Sequence, residues 1–316
     1  MSIFHWIQAT PNNHTISNLY MNRYGETVSG LFGYCEATLR NVGVVNCDIT
    51  AKPAKNDAHA IAAALAGEIK NTTISNCYST GNVTGSRTIG GLVGYVSPNC
   101  TITDCYNACT VTGNGYTRAY TGGLVGYIND GITVKNSYNK GAVSAKLSNP
   151  SHEDAFCATG GITSYIQDGE KDGPSQVINC WNTADISITT NADGNTLGNY
   201  TVGGIAGSAS GKLENCYNAG HLKADVAYLG GITGRLYAEA SDCHNNGAVE
   251  NTSVWGYHNA GGIAGICGTG SVISNCYNTG KVSSSSRSGG IVAYAFQDIY
   301  RSHNVGEVST TESLRS

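Results

Sequence analysis

Two short phrases recur along the chain, and their recurrence limits the possible folds more than any other feature. In the stretch Ile74 to Tyr95, ISNCYSTGNVTGSRTIGGLVGY, they stand together as NCYxxGxV and GGLVGY. The first returns around Cys77, Cys105, Ser137, Cys180, Cys216, Cys243, Cys276 and Ser302, with a shorter form at Cys47. The second returns around Leu31, Leu65, Leu92, Leu124, Ile162, Ile205, Ile232, Ile263 and Ile291. Each phrase thus occurs nine times, at a spacing of about 32 residues, inside the range of periods that marks solenoids, propellers and arrays.

A repeat needs only its neighbours, so the 316 residues are expected to form a single elongated domain, 1–316. Residues 1–50 are expected to supply the opening and capping coils, and 309–316 a C-terminal tail. Helical repeats are ruled out, because Gly-Gly and Asn-Gly punctuate the units and no 3.6-residue apolar period persists. A propeller blade would need four antiparallel strands, whereas each unit offers three short apolar segments. These are GLVGY, the triplet before the Cys position, and the aliphatic residue six positions after it. The expected fold is therefore an all-β parallel β-solenoid (β-helix) of about nine coils with three short strands per coil.

Parity assigns the inside of the coil. The Cys position and the aliphatic residue six later share a face, and both point inward with the Leu or Ile of GGLVG. The apolar residue three before Cys, such as Ile74 or Ile102, has the opposite parity, so a bend must intervene. The Asn or Asp immediately before Cys suits that bend, because these residues tolerate the left-handed region. A position that accepts Cys or Ser wants a small side chain, which favours buried free thiols. Stacked coils would still bring successive Cys within disulfide range, so pairing stays open.

Composition removes several function classes. The net charge of −4 comes without a basic stripe, so no nucleic-acid partner is expected. No apolar run approaches a membrane span, and the N-terminus lacks the regions of a signal peptide. The register suggests a chain that starts partway into a larger protein with flanking domains. Signal and anchor are then expected outside the visible sequence.

The Gly-Leu-Val-Gly-Tyr runs at Gly91–Tyr95 and Gly123–Tyr127, with the opening HTISNLY at His14–Tyr20 and GLFGY at Gly30–Tyr34, resemble the bacterial GLUG-motif repeats. The resemblance covers nearly the whole chain and departs from the pattern at Ala63–Glu68 and Gly160–Tyr165. It implies a surface or secreted protein, of the kind that includes adhesins and immunoglobulin-A-specific metallopeptidases, in which the repeats lie outside the catalytic part. No HExxH motif occurs, and no cofactor or metal set is expected.

The function expected on these grounds is a non-enzymatic adhesive module or rigid stalk at the cell surface, with a host glycan or glycoprotein as partner. A polysaccharide-acting β-helix enzyme is the alternative, although the carboxylates are scattered singly and form no column. Insertions concentrate after the inward aliphatic residue, between Val143 and Gly161 and between Ile186 and Gly204, and loops of this kind often carry function. Candidate ligand residues there are His152, Asp154, Phe156, Asp193 and Tyr200, with Tyr120, Trp255 and Tyr257 from flanking coils. The ring column after the Cys position, Tyr78 to His303, reads as a stacking ladder or as a track for sugars.

Overall fold

The computed structural model describes residues 14–25, 27–56, 59–167, 173–189, 199–253 and 258–310. The chain winds as a parallel β-solenoid. One representative coil runs through Thr73–Ser75, Tyr78–Gly85, Thr88–Gly90 and Val93–Val96. Each strand pairs in parallel with its counterpart one coil on: Thr101–Thr103, Tyr106–Gly115, Arg118–Gly122 and Val125–Ile128. Three of the resulting ladders are nine-stranded sheets. The remaining face opens with the short strands His14–Ser17 and Tyr20–Tyr24, runs as one long strand in each of the next coils, Val42–Lys52, Tyr78–Gly85 and Tyr106–Gly115, and divides again, from Tyr138–Asn139 and Val143–Leu147 onward, into two short strands per coil. With strands about 4.8 Å apart, the stack is about 40 Å long.

The three apolar segments expected in each unit are all present, and a further strand, Thr88–Gly90, precedes GLVGY. It and Val93–Val96 join different sheets because the chain turns at Gly91 and Leu92. Leu92, Leu124, Ile162, Ile205, Ile232 and Ile263 are all buried there.

The bend before the Cys position is confirmed in detail. Asn46, Asn76, Asp104, Asn136, Asn179, Asn215, Asp242 and Asn275 adopt φ between 49° and 55°. Arg301 does so at 46° without the side chain that usually makes the left-handed region cheap. Their amides also reach along the axis, as in Asn215 Nδ2 to Asn179 Oδ1 at 2.8 Å.

Hydrogen bonding explains why Cys or Ser follows. The Cys105 thiol donates to the Thr103 carbonyl at 3.1 Å, and its sulfur accepts the Cys77 N–H at 3.4 Å. Ser137 does the same, donating to the Lys135 carbonyl at 2.7 Å and accepting the Cys105 N–H at 3.1 Å. The position thus requires a small side chain that can both donate and accept, since the left-handed bend takes this N–H out of the strand ladder. All twelve cysteines are buried free thiols.

The interior is pinched into two apolar columns. The larger contains Ile74, Leu92, Cys105, Leu124, Val134 and their stacked equivalents. The smaller, beginning at Ala119 and Val143, contains Ile186, Tyr200, Leu222 and Val249. At the waist lies a row of buried asparagines two residues after the Cys position: Asn107, Asn139, Asn182, Asn218, Asn245 and Asn278. Each Nδ2 donates to the next amide oxygen, at 2.8 Å from Asn107 to Asn139 and from Asn139 to Asn182, and 2.9 Å from Asn182 to Asn218. Each also closes a local turn, as when Asn139 Nδ2 donates to the Gly141 carbonyl at 2.9 Å and Oδ1 accepts the Gly141 N–H at 3.2 Å. The full donor and acceptor capacity of the amide is used, which is what makes its burial tolerable.

The second glycine of each Gly-Gly pair faces this row. A Cβ on Gly123 would lie 2.1 Å from the Gly161 carbonyl oxygen and 2.5 Å from Asn139 Cγ, so only hydrogen fits. The Gly-Gly and Asn elements of the repeat are therefore two sides of one contact.

Candidate functional site

Each coil leaves the smaller column through a turn that joins the inward aliphatic strand to the Gly-Gly strand. That edge of the solenoid is where the insertions fall. In the coil built on Val143–Leu147 and Phe156–Gly160, residues 148–155 bulge outward. They are held on the preceding coil by three backbone bonds, and a fourth closes a turn within the insert. Ser148 and Asn149 donate to the Gly115 and Tyr116 carbonyls at 2.9 and 2.8 Å, Phe156 donates to Thr117 at 2.9 Å, and Ala155 closes a turn on His152 at 2.9 Å. In the next coil the strand Tyr200–Gly203 pairs with Phe156–Gly160, with Cys157 and Tyr200 in register.

Two sequence-predicted residues meet here. Tyr120 and Phe156, from consecutive coils, have ring centroids 5.4 Å apart. Both are half-buried. Tyr120 stands edge-on to Tyr127 at 5.3 Å and to Tyr165 at 6.2 Å. Tyr95, Tyr127 and Tyr165 in turn stack along the axis at 5.2 and 5.3 Å, and the Tyr127 hydroxyl donates to Gln167 Oε1 at 2.5 Å. Burial pushes the phenol pKa of Tyr120, Tyr127 and Tyr165 above its ordinary value, so all three hydroxyls stay protonated and can donate.

His152 and Asp154 sit at the exposed tip of the insert. The Asp154 N–H donates to His152 Nδ1 at 3.1 Å, and an Asp154 oxygen approaches Arg118 at 3.9 Å. Tyr200 is placed differently from expectation. It is fully buried in the smaller column, and its hydroxyl donates to the Pro150 carbonyl at 2.6 Å, so it anchors the insert from beneath instead of facing a ligand. The pairing of its strand with Phe156–Gly160 forces the ring inward. Asp193, Trp255 and Tyr257 lie outside the described residues. Cys157, beneath the cluster, is buried and its thiol is pushed up to about 12, so it is no nucleophile near neutral pH.

The rings after the Cys position stack on one another along the axis. Tyr78, Tyr106, Tyr138 and Trp181 stack at 4.9, 5.0 and 4.7 Å with planes within 10° of parallel. Tyr217, His244, Tyr277 and His303 continue at 4.3, 4.8 and 5.5 Å. Ring faces that cover one another leave edges to solvent, whereas a sugar ring stacks on a face.

Lys52, Lys55, Arg87 and Arg118, which three successive coils bring to one cleft, were not singled out in the sequence. Their common position at or just after the end of the inward aliphatic strand was the available signal, but scattered lysine and arginine look like ordinary solvated charge. Among the described residues, no three His, Cys, Asp or Glu side chains are grouped to hold a metal ion, and no helix is long and apolar enough to cross a membrane.

No family model matches the chain, so the GLUG-motif resemblance rests on its residues alone. Among solved structures, a candidate immunoglobulin A1 protease from Bacteroides ovatus is similar, with a TM-score of 0.50 and 24% identity. The match covers 67% of this chain and 60% of that one. Another, an IgA1 protease, has a TM-score of 0.47 and 20% identity, covering 73% of this chain and 17% of that chain. Halomucin of Haloquadratum walsbyi is 36% identical over 95 residues, which are 29% of this chain and 1% of that protein. The chain thus spans less than two thirds of the length of each of these three proteins. The β-solenoid architecture is shared with the Bacteroides ovatus protein. The expectation of a non-enzymatic chain is corrected by this likeness, since a protein with this solenoid is described as a protease and the architecture does not set the chain apart from enzymes.

Proposed function

We propose that the chain is a glycan-recognising module of a cell-surface or secreted protein. In this reading the stacked coils form a rigid rod, and the insert-bearing edge of the smaller column is the ligand surface. The observation that carries the reading is the convergence of Tyr120 and Phe156 from separate coils onto a partly exposed aromatic cluster, beside the polar tips of His152 and Asp154. Aromatic bodies with polar neighbours are the usual means of holding a pyranose ring against water. The names of two relatives, a mucin-like protein and an immunoglobulin A1 protease, support a setting among glycosylated partners.

The test is binding of the purified chain to an array of host and bacterial glycans, followed by titration calorimetry with the best ligand. Tyr120→Ala and Phe156→Ala should each weaken binding at least tenfold, while Tyr138→Ala in the stacked column leaves it unchanged. Equal loss in all three variants, or no glycan bound by the parent chain, would defeat the reading. The bound ligand is also followed for cleavage, because the likeness to a protease leaves turnover as a measurable quantity.

A further inference from the structure

We infer that the same edge carries an anion-selective subsite, so that the ligand is an acidic saccharide bearing a carboxylate or sulfate group. The inference rests on the glycan reading above and adds the charge class of the ligand. Next to Tyr120 the turns of successive coils enclose a cleft of about 410 Å³, a size typical of small-ligand sites. Four cations line it: Lys52, Lys55, Arg87 and Arg118. The chain as a whole has 18 Lys and Arg against 22 Asp and Glu, so four cations in one cleft run against the overall balance. Among the described lining residues there is no carboxylate. Asp154 reaches Arg118 from the rim at 3.9 Å, but the two side chains are 40% and 63% exposed, and such a pair is screened and readily displaced.

Uncommitted polar atoms in the wall point to a ligand with two kinds of group. Ser86 Oγ and Asn114 Oδ1 are buried and have no hydrogen-bond partner, although buried polar atoms are nearly always paired. One can donate to an anionic oxygen, and the other can only accept, from a hydroxyl. A simple inorganic anion or an acidic side chain leaves the acceptor unanswered, whereas an acidic sugar offers both a charged group and hydroxyls. The site is continuous with the aromatic cluster: the Tyr120 N–H donates to the Arg87 carbonyl at 2.6 Å, and Arg118 pairs in register with Phe156. A sugar over Tyr120 would therefore place an adjoining acidic unit among the guanidinium and ammonium groups, where bidentate contacts to a carboxylate or sulfate are available.

The test is calorimetric titration of the whole chain with an oligogalacturonate, a sulfated chondroitin oligosaccharide, a neutral maltooligosaccharide and a polyglutamate peptide. The uronate and sulfate arms identify which anionic group is preferred, and binding of either should weaken steeply with added salt. The exposed pair change Lys52→Ala with Lys55→Ala should lower the affinity for the acidic saccharide at least tenfold, and Arg118→Gln should do so independently. Neutral and acidic saccharides bound equally, with the lysine variant unchanged and Tyr120→Ala defective, would overturn the anionic subsite and leave glycan recognition standing. Polyglutamate bound as tightly as the saccharides would overturn the saccharide assignment. No saccharide bound at all would overturn both.

Discussion

Replacing Asn182 by Ala should be one of the most damaging conservative-size changes available in this fold. The amide is fully buried and makes four hydrogen bonds: to the Ala184 carbonyl at 2.8 Å, to Asn218 Oδ1 at 2.9 Å, from the Ala184 N–H at 3.3 Å and from Asn139 Nδ2 at 2.8 Å. Removing it orphans both backbone groups of Ala184 and strips one bond each from Asn139 and Asn218. A buried polar group left without a partner costs about 1 to 3 kcal/mol, so the two backbone groups alone account for about 2 to 6 kcal/mol, and ~4 kcal/mol is the expected loss. Asn304, at the end of the row and only half-buried, is the internal control. Water can replace much of what Asn304→Ala removes, and its loss should stay below about 1.5 kcal/mol. Because a repeat array need not unfold in one step, native-state hydrogen exchange of the coils around each site is the suitable assay, supported by urea denaturation. Costs for the two variants that agree within about 1 kcal/mol would refute the idea that the amide row holds the waist.

Tyr138→Ala removes two stacked contacts, at 5.0 Å to Tyr106 and 4.7 Å to Trp181, and should cost about 1 to 3 kcal/mol in urea denaturation, at about 0.5 to 1.5 kcal/mol per pair. Cys105→Ser should be nearly neutral, since Ser137 makes the same pair of bonds, whereas Cys105→Val should cost about 2 kcal/mol by leaving the Cys77 N–H and Thr103 carbonyl unanswered. Burial lowers the pKa of His244 and His258 below the ordinary 6.5. The unfolded chain then takes up protons first, so stability should be complete above pH 6.5 and fall as pH drops through 6.5 toward the folded-state values. His258→Gln should flatten that part of a denaturation midpoint series, and an unchanged slope would count against the assignment.

The coil geometry was legible because a stacked fold writes the same constraint many times. The left-handed bend could be placed at Asn76, Asp104 and Asn136 from parity together with the tolerance of Asn and Asp for that region, and the structure puts positive φ there. The inward Leu and Ile of GGLVG followed from the same argument. The asparagine row was equally periodic, yet its meaning was hidden, because asparagine in a turn-rich repeat suggests a surface loop. Only the opposed glycines, Gly123 against Asn139 for instance, reveal that the amide points inward. At the candidate site, adjacency of consecutive coils brought Tyr120 and Phe156 together as expected, since register carries across a parallel ladder. Tyr200 was misplaced because an insert of irregular length breaks that register. Parity cannot be counted through a loop, and the ring turned out to be core. The cationic cleft depends on turn conformations that no period encodes.

On the proposed reading the insert-bearing edge, and not the stacked ring column, meets the ligand. The most direct test is a crystal structure of the chain with an acidic oligosaccharide bound. Sugar density is expected over Tyr120, with its charged group among Lys52, Arg87 and Arg118. Density along Tyr78, Tyr106 and Tyr138, or on the opposite face of the solenoid, would contradict that reading.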